Sequence, residues 1–362
     1  MRILLVFLFL FPGLAMAAEP AVTPAVDGIF AAFHGHALVG LGEHHSIQQE
    51  LDFYSTLIRD PRFAADVGNV VVEFGGAAHQ DIIDRYVDGQ DVPYTELRKV
   101  WTDTVGWQPV VTRVGYAAFF AQVRETNKAL PPGKRIHVWL GEPVIDWAKI
   151  DHAGWLVLNR QRDDFAAAVI EREILAKGKK ALVIYGAGHF EPPVPGAAGA
   201  ALEKAGWSST FLGTLIRRKH PDALFVAVFY NGTSDKACAQ EMDRSMESWP
   251  VPAMTAPARG SFIANRVRDC STLRVQDANF PPGLTDAVKQ QIVDADKDVT
   301  SQADAIVYVG PSTSLTFSPY MPDLYLDPDY DRTVAQHHQI QTGETFPTYL
   351  INDYTRVRKV RP

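Results

Sequence analysis

The sequence predicts an α/β fold: a mainly parallel sheet with helices on both faces. Three observations predict it. First, apolar runs of strand length recur: HALVGLG (36–42), NVVVEFG (69–75), RIHVWLG (135–141), KALVIYG (180–186), ALFVAVFY (223–230) and ADAIVYVG (303–310). Second, the runs are continuous rather than alternating, as in strands covered on both faces. Third, segments of helical length separate them, as crossovers between parallel strands require.

The elements follow in order. The chain opens MRILLVFLFLFPGLAMAAEP. Arg2, the apolar run behind it and Ala15-Met16-Ala17 form the pattern of a secretory signal peptide over 1–18. The alternative is an N-terminal membrane anchor, but the run is short and Pro12 interrupts it. The signal reading predicts a periplasmic or secreted protein with no membrane partner after cleavage. Residues 19–35 read as a leader, and 36–320 as one α/β domain. Ser46 reads as a helix N-cap, with Gln49 completing a capping box. The helix behind it buries Leu51, Tyr54, Leu57 and Ile58. Further helices are expected at 80–87, 94–104, 112–129 and 155–177, the last ended by Gly178. Residues 231–300, richer in Pro, Ser and Thr, read as an insertion or cap. Residues 321–362 read as a C-terminal surface tail.

Composition narrows the function. The formal charge is −7 over 362 residues, and removing Arg2 with the signal makes it −8. That modest acidity, spread along the chain, argues against nucleic acid as a partner. A small molecule or a peptide is the expected ligand. In an oxidising compartment the two cysteines, Cys238 and Cys270, form one disulfide, stabilising by about 3–4 kcal/mol. The alternative is two buried thiols.

Parallel sheets bind ligands at the carboxyl ends of their strands. The first run ends on Glu43, His44 and His45. The second carries Glu73, the third ends on Glu142 with Asp146 just beyond, and the fourth leads to His189 in YGAGHF. Four runs thus bring an acid or a histidine to one edge. Glu73 is the sharpest signal, because a carboxylate in an apolar strand needs a cation, hydrogen bonds or a metal. The alternative for Glu73 is a structural ion pair with an arginine; for His189, a capping or core histidine. Strand alternation does not decide between His44 and His45.

The ordered set LVGLGEHHSIQQE, VVVEFGG, GEP with Asp146, the Arg162-Asp163 pair in NRQRDDFAAAVI and ALVIYGAGHF resembles one superfamily: the erythromycin esterase, ChaN-type haem-binding and TIKI/TraB group. The resemblance covers roughly 36–230. It implies a site of Glu43, His45, Glu73, Arg162 and His189, with Gly42 to His45 matching the G-x-x-H form of the TIKI branch. The erythromycin esterase spacing would put the histidine at Ser46. The anchoring cysteine of haem-binding lipoproteins is absent.

Two chemistries are expected from these residues. The first is hydrolysis of an ester or amide bond, with His45 or His189 as general base, Glu43 or Glu73 orienting it, and Arg162 stabilising developing charge. A metal variant would use His45, His189, Glu43 and Glu73 to hold Zn, Mn or Fe. The second is haem or metal capture without catalysis, through His44, His45 or the tail histidines His337 and His338. A secreted α/β domain that keeps the site without its activity is the blander alternative. Trp101, Trp107, Tyr116, Trp139 and Trp147 are expected to line a pocket or fill the core.

Overall fold

A computed structural model describes residues 20–194, 196–204, 208–233, 235–270, 285–296, 301, 303–345 and 358–359. The signal segment 1–18 lies outside the described residues, as do 271–284 and 297–300 of the insertion and most of the tail past 345. Eight strands form one sheet: β1 (Ala21–Pro24), β2 (Leu38–Glu43), β3 (Asn69–Gly76), β4 (His137–Glu142), β5 (Ala181–Gly186), β6 (Leu224–Phe229), β7 (Ala253–Ala256) and β8 (Ala305–Tyr308). Their order across the sheet is β1-β7-β8-β6-β2-β5-β3-β4. From β8 to β4 every pairing is parallel, while β7 runs antiparallel to both β8 and β1. Among the described residues, sixteen α-helices surround this sheet.

The six apolar runs are the six parallel strands. Alternate side chains of each enter one of two cores. Val39, Leu41, Val70, Val72, Leu182 and Ile184 pack on one face. Leu38, Val71, Ala181, Val183 and Tyr185 pack on the other. Both faces are dry, so the runs carry no polar alternation. Each fully buried Val, Leu or Ile contributes about 1.5–3 kcal/mol.

The topology positions the site. The strands carrying Glu43, Glu73 and Glu142, and the one leading to His189, lie side by side as β2, β5, β3 and β4. Glu43 sits level with Gly186. The β3/β4 register shifts between Val72 and Gly76, the stretch that contains Glu73. A bulge of this kind re-aims a side chain at the end of a strand.

Several expectations are corrected. The segment read as a leader belongs to the fold: β1 pairs with β7, and the helix Ala25–Gly35 buries Ile29, Phe30 and Phe33. Its apolar face was hidden in a segment short of charges. Ser46 does not cap a helix. It takes a left-handed φ of 71°, and the helix Gln48–Arg59 starts behind Ile47. Gln49 instead accepts from the backbone of Thr316. The helix expected at 94–104 is two short ones, Tyr94–Leu97 and Lys99–Thr102. The one expected at 155–177 breaks at Gln161 into His152–Arg160 and Arg162–Glu173. The insertion supplies β7 to the sheet rather than a separate cap, and within it Cys238 and Cys270 are bonded, their Cα atoms 6.1 Å apart. The tail forms the helix Pro328–Thr342, which buries His337 and His338. His337 lies flat against Trp147, with ring centroids 3.9 Å apart. No helix among the described residues is long and apolar enough to cross a membrane.

Candidate active site

The apolar run β2 ends on a buried carboxylate that holds a histidine. Glu43 Oε1 accepts from His45 Nδ1 at 2.6 Å and from the Tyr116 hydroxyl at 2.7 Å; Oε2 accepts from the Tyr54 hydroxyl at 3.0 Å. Burial, with the Glu43 charge, raises both phenols well above their usual range, so they remain donors. With Nδ1–H committed to Glu43, the lone pair of His45 is on Nε2. The His45 side chain is 37% exposed, the most open member of the cluster. Nε2 lies 4.0 Å from Glu73 Oε1. Burial works against the charged ring, but Glu73 and Glu43 together outweigh it and raise its pKa above 6.5.

Glu73 is the hub. Its Oε1 accepts from Arg162 Nη2 at 2.6 Å and His189 Nε2 at 3.2 Å, and its Oε2 from the Gly186 amide at 2.6 Å. Burial alone would raise this carboxyl; His189, His45 and Arg162 reverse the sign and hold it well below the carboxylate range. Arg162 Nε also reaches both oxygens of Glu142, at 2.9 and 2.8 Å. Glu142 is fully buried, and desolvation pushes it up to about 7 against the pull of Arg162. His189 Nδ1 meets Asp163 at 2.5 Å while its Nε2 meets Glu73. Burial is overcome by the two carboxylates, and the ring is pushed up to about 10. His189 is therefore an imidazolium at neutral pH, with both nitrogens donating. It has no lone pair for a base or a metal.

The break at Gln161 has a purpose in this geometry. It restarts the helix at Arg162, so two successive first-turn residues, Arg162 and Asp163, reach Glu73, Glu142 and His189. Tyr185 holds the His189 ring edge-on, with centroids 5.3 Å apart.

Of the residues named from the sequence, Glu43, His45, Glu73, Glu142, Arg162 and His189 converge. His44 does not join them: its backbone amide and ring face Glu50. Asp146 also stands apart, half-exposed and paired with Lys149 at 2.7 Å. Sequence reasoning missed Asp163, Tyr54 and Tyr116 as parts of the network. A hydroxyl on an apolar helix face was the available signal for the tyrosines, and the acid beside Arg162 was the signal for Asp163. Of the five pocket-or-core aromatics, Trp101 and Tyr116 are fully buried, Trp147 is buried, and Trp107 is 55% exposed.

Close approach makes one glycine essential. A Cβ on Gly186 would lie 2.7 Å from both Cε1 and Nε2 of His45. Gly186→Ala is expected to displace the ring and lower turnover of any substrate the wild type accepts. Gly188→Ala, whose Cβ meets nothing within 4 Å, is the control and should leave turnover unchanged. Equal rates for the two variants would remove the need for contact at Gly186.

No family model matches the chain, and no curated protein matches it. Two solved structures are similar to it at a low level. The type III effector HopBA1 is 15% identical over 60% of this chain and 88% of its own, with a TM-score of 0.36. A Bacillus cereus protein is 9% identical over 79% of this chain and 91% of its own, with a TM-score of 0.45. Neither gives a family, and the superfamily that the motif order resembles is not shown. Likeness at this level carries no argument about chemistry.

Proposed function

We propose that the protein is a hydrolase of ester or amide bonds, working outside the cytoplasm, with His45 as its general base. One observation carries this reading: Nδ1–H of His45 is fixed on Glu43 while the side chain stays 37% exposed, with Nε2 4.0 Å from Glu73 Oε1. His45 Nε2 takes a proton from water as the water oxygen bonds to the carbonyl carbon. The same proton passes to the leaving oxygen or nitrogen as its bond to carbon breaks. Glu43 keeps the ring in the required tautomer and stabilises the imidazolium formed. Arg162 and His189 supply positive charge beside the oxygen that becomes negative. Glu73, Glu142 and Asp163 hold those two cations in place and are not themselves proton acceptors.

A metal reading has one observation in its favour. Ligand atoms of Glu43, His45 and Glu73 lie within 4.8 Å of one another. The donor set fits poorly, because each of the two carboxylates already accepts three hydrogen bonds. A cation there would also sit beside Arg162 and the His189 imidazolium. No step is routed through a metal for that reason. Haem capture at His45 is the remaining alternative, and a Soret band lost in His45→Ala would support it.

The test is a panel of esters and amides with metal-depleted protein. Hydrolysis that survives depletion supports the reading; activity restored only by Zn, Mn or Fe would replace it with the metal reading. The pH profile adds a sign. A base must be unprotonated, and the His45 pKa is raised, so kcat/KM should rise with pH through a value above 6.5. Glu43→Gln removes one of the two carboxylates that raise it and should move the rise to lower pH. A profile unmoved by Glu43→Gln would take His45 out of the proton transfer.

A further inference from the structure

We propose that Glu50 is a positioning residue for His45, acting through the backbone of His44. The inference rests on the reading of His45 as the proton-transfer group. Glu50 is 1% exposed and pairs with no lysine or arginine among the described residues. Its Oε2 accepts from the His44 amide at 2.8 Å. Its Oε1 has no hydrogen bond and lies 3.4 Å from His44 Nδ1. The titratable groups facing it are His44, Glu43 and Tyr54. A buried carboxyl without a cation is costly, and here burial pushes it up to about 7.

What that carboxyl does is hold a strained turn. Behind β2 a turn runs from His44 to Ile47, closed by the Ile47 amide on the His44 carbonyl at 3.3 Å, and Ser46 in it sits at φ 71°. A non-glycine residue there persists only when its surroundings over-determine it. The Ser46 amide donates to the Tyr116 hydroxyl at 3.1 Å, and its carbonyl accepts from Ser318 at 2.8 Å. Those contacts fix the far side of His45. Glu50 fixes the near side, at the residue just before it. Without the acceptor, the His44 amide loses its buried partner and the turn is free to rotate about His45. The ring then no longer keeps Nδ1–H on Glu43 and Nε2 beside Glu73.

Two variants separate shape from charge. Glu50→Gln keeps an acceptor for the His44 amide, and Glu50→Leu removes it. The readout independent of activity is the nitrogen spectrum of the His45 imidazole in the full chain, recorded where the ring is neutral. Wild type and Glu50→Gln should show the Nδ1–H tautomer, and Glu50→Leu a tautomer average. Misplacement by about 1 Å costs about 100-fold in rate, so kcat of Glu50→Leu should fall about 100-fold with KM nearly unchanged, and Glu50→Gln should rescue it. A folded Glu50→Leu protein with the wild-type tautomer and kcat overturns the proposal. If that variant does not fold, Glu50→Asp, whose carboxyl is one methylene short, decides: a wild-type tautomer overturns the proposal, an averaged one supports it. Should no substrate be hydrolysed even by wild type, the hydrolase reading fails by itself and the nitrogen spectrum still decides the role of Glu50.

Discussion

His45→Gln is expected to lower kcat by about two to four orders of magnitude, the usual contribution of a positioned general base. Glutamine nearly matches the volume of histidine and can still donate to Glu43 from its amide. It offers no basic nitrogen to water. The ring it replaces is partly exposed, so the fold should lose little. Three features make the loss large. Both nitrogens of His189 are occupied by carboxylates, so it does not substitute. Glu73 is held well below the carboxylate range, and Arg162 and His189 block its reach as a base. His44 faces Glu50 with both its amide and its ring. Full activity in a folded His45→Gln protein would sink the assignment of the base. Residual activity that loses its pH dependence would agree with it.

Arg162→Met is expected to destabilise the protein by about 3–5 kcal/mol, because it leaves buried carboxylates without their cation. Methionine fills much of the stem volume, so packing is not the main term. Glu142 loses both of its hydrogen bonds to Nε, and Glu73 loses the shorter of its two contacts to cationic side chains. Tm at neutral pH should fall by on the order of 10 °C. The sign of the pH dependence follows from the carboxyls. Glu142 is already pushed up to about 7 with the arginine present, and without it the neutral form is favoured further. Acid then neutralises the orphaned groups, so the difference from wild type should shrink between pH 8 and pH 5. Arg162→Met combined with Glu142→Gln should recover part of the loss, since the two sites share a contact. Thermal unfolding of the single variant at the wild-type Tm would mean the cluster is not a stabilising ion network.

The same charges explain why the site was partly legible. Buried strands announce themselves as unbroken apolar runs, and Glu73 stood out because water-free carboxylates are rare. Glu43 and Glu142 were visible as acids where apolar runs end. The roles were less visible. Imidazole type alone made His189 as good a base as His45; the contact to Asp163 on one nitrogen and Glu73 on the other removed that option. Nothing local marked Glu50, whose partner is the backbone of the turn before its helix. The helices in the leader and the tail went unread for one reason: each buries a narrow apolar face that only a partner surface reveals.

The sequence by itself determined the six parallel strands, their burial on both faces and the acids and histidines at the ends of four of them, because hydrophobic patterning is a local property of the chain. Tertiary structure alone decided that β5 enters between β2 and β3. That insertion brings Gly186 and His189 against Glu73, with His45 Nε2 4.0 Å from the same carboxylate. Strand order depends on long-range packing, and proton states depend on distances between charges far apart in the chain, so neither is written in any one segment.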